Sequence, residues 1–240
     1  MRILVTNDDG IRSPYLAMLA EAAATLGEVT VLAPMEQCSA MSHHITLYKP
    51  MELQQETDYP AEGVRAYRID GTPADCVRIC YHGLFEDGQE PQMVLSGIND
   101  GANCGFDTLY SATVGAAMEA VLYGVPAICF SQRRGGSDEV LRNYLLPVLL
   151  ELAEKPLPRG AAWNVKFPSC SLEEYRGILY DRSLAQTAFF HDFYYRQERA
   201  DGGHDVLLRA EELTQAEEGT DIRALLDGYI SVGIIRNRAM

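Results

Sequence analysis

The tetrapeptide Asn7-Asp8-Asp9-Gly10 follows directly on the apolar run Ile3-Leu4-Val5 and Thr6. Two adjacent carboxylates repel each other unless a cation relieves them, and Asp, Asn and Ser offer only hard oxygen donors. Mg²⁺ or Mn²⁺ is the natural occupant of a site built on Asp8 and Asp9. A competing account makes these residues caps, since an Asx turn after a strand is common and Gly10 supports one. One cap needs one acceptor, however, and the second carboxylate beside it is left with an electrostatic cost. That shifts the balance toward a metal.

A second polar segment, Ser96-Gly97-Ile98-Asn99-Asp100-Gly101-Ala102-Asn103-Cys104-Gly105, alternates glycine with small polar residues and leads to Ser111-Ala112-Thr113 at the start of a helical pattern. A helix start aims unpaired amides and a partial positive charge outward, so a phosphate fits there. The plainer alternative is a glycine-rich turn with Ser111 as N-cap. No P-loop, no Gly-x-Gly-x-x-Gly and no Gly-x-Ser-x-Gly nucleophile elbow occurs. His43 and His44 lie near a third polar segment, Glu36 to Ser42, where a proton donor to a leaving group is conceivable but unsupported by spacing. His82, His191 and His204 have no motif around them.

These segments need a scaffold that gathers them. Residues 2–6 read as a strand, and Leu16, Leu19, Ala20, Ala23 and Leu26 mark a helix that stops at Gly27. Val29 to Ala33 forms a second buried strand before Pro34, and the βαβ unit implies a parallel pair with a right-handed crossover. Strands are expected near 51–55 and 64–69, a helix from Pro73 to about Tyr81, and a strand at Met93-Val94-Leu95 that ends in a loop from Ser96 to Tyr110. A helix from about Ser111 to Tyr123, a strand at 126–130 and a helix over 138–153 continue the rhythm. The fold class is α/β, a Rossmann-like doubly wound and mostly parallel sheet, in which ligands bind at the carboxyl ends of the strands.

Residues 1–155 form the expected catalytic core, and Lys155-Pro156-Leu157-Pro158 breaks the pattern. Residues 156–240 add a core strand at 163–167 and a β-rich part with strands near 176–182, 205–210 and 228–235, without forming an independent domain. The run Phe189-Phe190-His191-Asp192-Phe193-Tyr194-Tyr195 is too aromatic to stay exposed on a monomer, so a projecting hairpin that packs on another subunit is expected.

With 47% apolar and 22% charged residues among 240, the chain is globular in composition. Its formal charge of −14 argues against a partner as polyanionic as duplex nucleic acid. Only Lys49, Lys155 and Lys166 are lysines, so an anionic substrate must be met by helix-end amides, Arg or a metal. Six cysteines without a Cys-x-x-Cys pair read as reduced thiols. No signal-peptide pattern and no long apolar stretch is present, so a cytoplasmic protein without a membrane partner is expected.

Six ordered motifs resemble the SurE (survival protein E) nucleotidases. They are Asn7-Asp8-Asp9-Gly10; Ala33-Pro34 with Ser39 and Ser42-x-x-x-Thr46; Gly71-Thr72-Pro73-Ala74-Asp75-Cys76-Val77; Ser96-Gly97-Ile98-Asn99-x-Gly101-x-Asn103; Tyr110-Ser111-x-Thr113-Val114 with Ala116-Ala117-Met118-Glu119; and Gly219-Thr220-Asp221 with Gly228-Tyr229-Ile230-Ser231-Val232. The resemblance implies a metal-dependent phosphomonoesterase acting on nucleoside 5′-monophosphates, and a homodimer or homotetramer. Its metal ligands would be Asp8, Asp9, Ser39 and Asn99, with Asp8 and Asp9 at the centre of catalysis. Asn103 and the helix start Ser111, Ala112 and Thr113 would hold the phosphate. Ser39 and Asn99 come from the resemblance alone. The sequence departs from the pattern at Cys38, where the family usually has Arg, at Ala112 in place of glycine, and at its end, Met240, where the family generally continues.

Two rivals belong to other classes. A receiver-like signalling domain also places adjacent acids after its first strand, but needs a phospho-accepting Asp at the tip of a later one, and the expected tip here is Ser96 to Asn99. A degenerate relative would bind metal and nucleotide without turnover, a reading prompted by Cys38 and Ala112.

Overall fold

The computed structural model describes residues 1–83 and 89–237, and the end of the sequence at Met240 lies outside them. Strand β1 (Arg2–Thr6) leads through helix α1 (Pro14–Ala24) to β2 (Glu28–Pro34). Then come β3 (Leu53–Glu56), β4 (Arg65–Ile69), α2 (Pro73–His82), β5 (Met93–Asp100), α3 (Ala112–Leu122), β6 (Ala127–Gln132), α4 (Glu139–Glu154) and β7 (Ala161–Phe167). The last part holds β8 (Gly177–Leu179), β9 (Phe190–Glu198), β10 (His204–Glu212), α5 (Asp221–Leu226) and β11 (Tyr229–Arg236).

Nine strands make one sheet in the order β3-β4-β2-β1-β5-β6-β7-β11-β8, while β9 and β10 pair separately. The consecutive apolar residues of β1 explain its central place. Ile3 and Val5 enter one core cluster with Leu16 and Leu19 of α1 and Val140 and Leu141 of α4. Leu4 enters the other, with Cys76 and Val77 of α2 and Val114 and Ala116 of α3. A strand covered by helices on both faces must be apolar at every position, because its side chains alternate between the two cores. Truncating one of these core leucines, such as Leu16 to Ala, costs about 2–5 kcal/mol.

Strand order reverses at β1, which pairs in parallel with β2 on one side and β5 on the other. The register places Thr6 beside Ser96. The loop carrying Asp8 and Asp9 therefore leaves the sheet at the switch point, beside Ser96 of β5, in the region where doubly wound sheets bind their ligands.

Three expectations need correction. The β5 strand does not stop at Leu95: it runs to Asp100, with a register shift between Ser96 and Asn99 after which Asn99 and Asp100 pair with Ser131 and Gln132. Residues 221–226, between the strands expected near 205–210 and 228–235, form a helix, α5, capped by Thr220 Oγ1, which accepts from the Arg223 amide at 3.3 Å. Strand β10 is longer than expected, and its nine residues pair fully with β9.

The hairpin is rooted firmly. Phe189 is fully buried with Ala102, Cys104, Ile222 and Leu225, and Arg133 reaches Glu212 at 2.7 Å. Asp107 Oδ2 accepts from the amides of Phe189 and Phe190 at 2.7 and 3.2 Å. Further out, Phe193, Tyr194, Tyr195, Val206 and Leu208 are exposed.

Candidate active site

The loop after β1 is held on several sides. Asn7 closes it by bonding both backbone groups of Gly10, at 3.1 and 3.2 Å. The amide of Cys38 donates to the carbonyl of Asp8 at 2.7 Å, which brings Ser39 against the acidic pair. The segment after β2 that carries Ser39 also docks just ahead of α3, where Ser42 donates to the carbonyls of Tyr110 (amide, 2.9 Å) and Leu109 (Oγ, 2.7 Å). Gly115 permits that approach: a Cβ on it would stand 2.3 Å from the Ser42 carbonyl oxygen.

Asp8, Ser39, Asn99, Asn103 and Ser111 line one cleft of 190 Å³, together with Asp100, Asp107, Tyr110, Phe190 and Arg134. Asp8 is buried, and its Oδ1 accepts from Thr113 Oγ1 at 2.6 Å. Burial pushes the Asp8 carboxyl up to about 6; the Thr113 hydrogen bond opposes this and the Asp9 charge adds to it. Asp9 is not among the residues lining the cleft; it is held through Oδ2 by the amide of Asp100, which is, at 3.1 Å, and through Oδ1 by Gln37 at 3.4 Å. Burial raises its pKa as well, against the pull of the Asp100 amide.

The start of α3 is where the sequence placed a phosphate. Ser111 is the N-cap, its hydroxyl accepting from the Val114 amide at 3.1 Å. The amides of Ala112 and Thr113 precede the first helical hydrogen bond, and the helix dipole adds positive potential there. Ala112 itself is buried and does not line the cleft; Thr113 reaches it through Asp8. Asn103 is buried, its Oδ1 accepts from Asn99 Nδ2 at 3.3 Å, and its Nδ2 has no partner. Asn99 Nδ2 also donates to the Gly101 carbonyl at 2.6 Å, so Oδ1 is the Asn99 atom suited to a cation.

The structure gives the histidines other work. His43 Nε2 lies 2.6 Å from Oε2 of the buried Glu119, which also binds Arg78 at 3.0 Å and Tyr123 at 3.1 Å. His43 lines a separate cleft of 600 Å³ that shares only Ser111 with the acidic one. His44 is exposed, and its carbonyl accepts from Thr72 Oγ1 at 2.6 Å. Burial pushes the Cys38 thiol up to about 11, so it stays protonated and brings no charge to the Ser39 loop.

Sequence reasoning missed Arg134, Asp100 and Phe190 as residues of the cleft. Asp100 was assigned to a loop, Phe190 to the hairpin alone, and the Arg133-Arg134 dipeptide carries no motif.

The family model described as Survival protein SurE matches residues 3–188. The chain belongs to the SurE family. It is 38% identical to 5′-nucleotidase SurE 1 of Thermus thermophilus over 237 residues, covering 97% of this chain and 90% of that one. Against 5′-nucleotidase SurE of Chloroflexus aggregans the identity is 37%, with 97% and 91% covered. The crystal structure of the SurE protein from Aquifex aeolicus superposes with a TM-score of 0.81 at 34% identity, covering 98% of this chain and 93% of that one. Membership in SurE excludes the receiver domain, whose sequence-based refutation does not survive: β5 does end in an Asp, Asp100.

Proposed function

We propose that this SurE chain is a divalent-metal-dependent 5′-nucleotidase, hydrolysing nucleoside 5′-monophosphates to nucleoside and phosphate. The two relatives named above as 5′-nucleotidases support it, and one observation of this chain carries the reading: Asp8 and Ser111, the N-cap of α3, line one cleft, and the Thr113–Asp8 hydrogen bond ties the acidic loop to the first turn of that helix.

The donor set fits a hard cation. Asp8 and Asp9 are both raised in pKa by burial, Ser39 and Asn99 add neutral oxygens, and Asn103 Nδ2 is a buried donor still lacking an acceptor. Asp8, Asp9, Ser39 and Asn99 would hold Mg²⁺ or Mn²⁺, which supplies charge neutralisation and a lowered pKa for water. Thr113 fixes the rotation of Asp8 through Oδ1, and the Asp100 amide fixes Asp9. The Asn103 side chain and Ser111, which line the cleft, would orient the phosphate, and the positive end of α3 would meet the charge on its equatorial oxygens; Ala112 and Thr113, expected to share this role, do not line the cleft.

Cys38 and Ala112 give no support to a degenerate relative. Cys38 contributes its amide, which any residue but proline supplies, and Ala112 is buried away from the cleft. A cytoplasmic homodimer or homotetramer assembled through the β9–β10 hairpin completes the proposal. Among the described residues no helix is long and apolar enough to cross a membrane.

Purified protein incubated with Mn²⁺ or Mg²⁺ and a panel of nucleoside 5′-monophosphates tests the activity by released phosphate. Release from nucleotides of more than one base is expected, since no motif dedicated to base reading was found. Release from inorganic or sugar phosphates, and from no nucleotide, would overturn the substrate.

A further inference from the structure

We infer that Arg134 is a substrate-binding residue of this enzyme, its guanidinium gripping the phosphomonoester dianion in the cleft that Ser111, the N-cap of α3, also lines. The inference rests on the cleft of Asp8 and Asn103 being the phosphate site.

Three carboxylates, those of Asp8, Asp100 and Asp107, line that cleft with a single cationic side chain, Arg134. On a chain of net charge −14, a dianion entering this cleft meets repulsion from most directions. Arg134 is the described lining residue able to offset it. Its Nε donates to Asp100 Oδ2 at 3.2 Å, and it lies close over Gly101, whose missing Cβ would stand 3.7 Å from Nε. That contact occupies one edge of the guanidinium and leaves the Nη groups, the fork that matches phosphate bidentately, for a ligand.

The tether to Asp100 is soft. The Arg134 side chain is 57% exposed and that of Asp100 48%, and exposed pairs of this kind contribute little net stability. Exchanging the carboxylate for a phosphate dianion therefore costs little and gains a charge-assisted fork. The neighbouring arginine shows the contrast. Arg133 pairs with Glu212 at 2.7 Å and lies over the Phe189 ring, so it fastens the hairpin root and is committed there. Asp100 meanwhile gives its amide to Asp9 and its carboxylate to Arg134, which links the two, and the Arg134 charge is felt at Asp9.

Arg134→Gln and Arg134→Lys, compared with wild type in Mn²⁺, test the assignment through KM and kcat for AMP, the inhibition constant of inorganic phosphate, and the melting shifts caused by Mn²⁺ and by added phosphate. Arg134→Gln is expected to raise KM and the phosphate inhibition constant at least fivefold, to remove most of the phosphate-induced melting shift, and to leave the Mn²⁺ shift intact. Arg134→Lys should recover part of the phosphate binding. Changes below fivefold, or loss of the Mn²⁺ shift along with phosphate binding, overturn the assignment by making Arg134 a mere partner of Asp100 or a prop of the metal site. The melting shift with phosphate does not depend on turnover. A wild type that binds phosphate through Arg134 yet releases none from AMP would refute the nucleotidase reading and leave this one standing; a wild type without a phosphate shift refutes this one.

Discussion

Thr113 Oγ1 donates to Asp8 Oδ1 at 2.6 Å, tying the first turn of α3 to the loop after β1 across 105 positions of sequence. The second residue of α3, the helix proposed to receive the phosphate, is thus also the residue that orients the Asp8 carboxylate. Thr113→Val keeps the shape and removes the donor. Its expected effects are a weakening of metal binding by about 10–100-fold, the usual consequence of deleting a group that orients a ligand, and a fall in kcat/KM. Titration of Mn²⁺ followed by melting temperature checks the first effect independently of turnover.

Asp8→Asn separates a metal site from a capped turn. Removing one charge of the pair should leave the metal-free fold at equal or greater stability near neutral pH, while abolishing both the Mn²⁺-induced shift and phosphate release. Wild-type protein at about 100 times the dissociation constant should gain ~2.7 kcal/mol, a rise of several degrees for a chain of this size. Calorimetry of both proteins with EDTA and with Mn²⁺ decides; a mutant that keeps the wild-type shift removes Asp8 from the site.

The same carboxyl sets a pH dependence. Burial raises Asp8 from 3.8 to about 6, so between those values the folded protein keeps a proton that the unfolded chain has released. Stability of the metal-free protein should therefore fall as pH rises from about 4 to about 6 and level off above, with Asp8 contributing at most ~3 kcal/mol. Asp8→Asn lacks this component, so the mutant should gain on wild type through that interval. Urea unfolding of the pair across about pH 4 to 7 measures it, and a constant difference would refute it.

Asp221 is fully buried, pairs with Lys166 at 3.1 Å, and accepts from the amides of Gly105, Ala185 and Ile222. It fixes the far end of the loop that carries Asn103. Asp221→Asn strands the buried Lys166 charge and should cost about 3–5 kcal/mol in unfolding free energy. Lys166→Met with Asp221→Asn removes both charges, and recovery of part of that loss in denaturant unfolding is expected.

The outer hairpin should hold subunits together. Replacing Tyr194 and Leu208, which face each other across β9 and β10, by Ser is expected to shift the protein toward monomer in light scattering. A wild type that is already monomeric at micromolar concentration would refute the role of the hairpin.

What could be read in advance follows from where the deciding interactions lie. The β1 strand announced itself because it is buried on both faces, and α2 because Thr72, Pro73 and Asp75 form a local capping box. Asp8 and Asp9 stand out as candidates because adjacency alone creates the electrostatic problem. The extension of β5 to Asp100 was not legible: Gly97, Asn99 and Asp100 have loop composition, and only pairing with Ser131 and Gln132 of β6 makes them strand. The six residues of α5 are too few to show a period. Arg134 was invisible for a related reason, since only the fold sends it to the cleft while Arg133 turns to Glu212.

Phe190 belongs at once to β9 and to the wall of the acidic cleft. If subunits dock through the hairpin as proposed, they bear on the same strand that borders the cleft, and dilution becomes a kinetic variable. Specific activity measured at nanomolar and at micromolar protein should differ if dissociation lets that wall relax, so turnover per molecule has meaning only with its protein concentration attached.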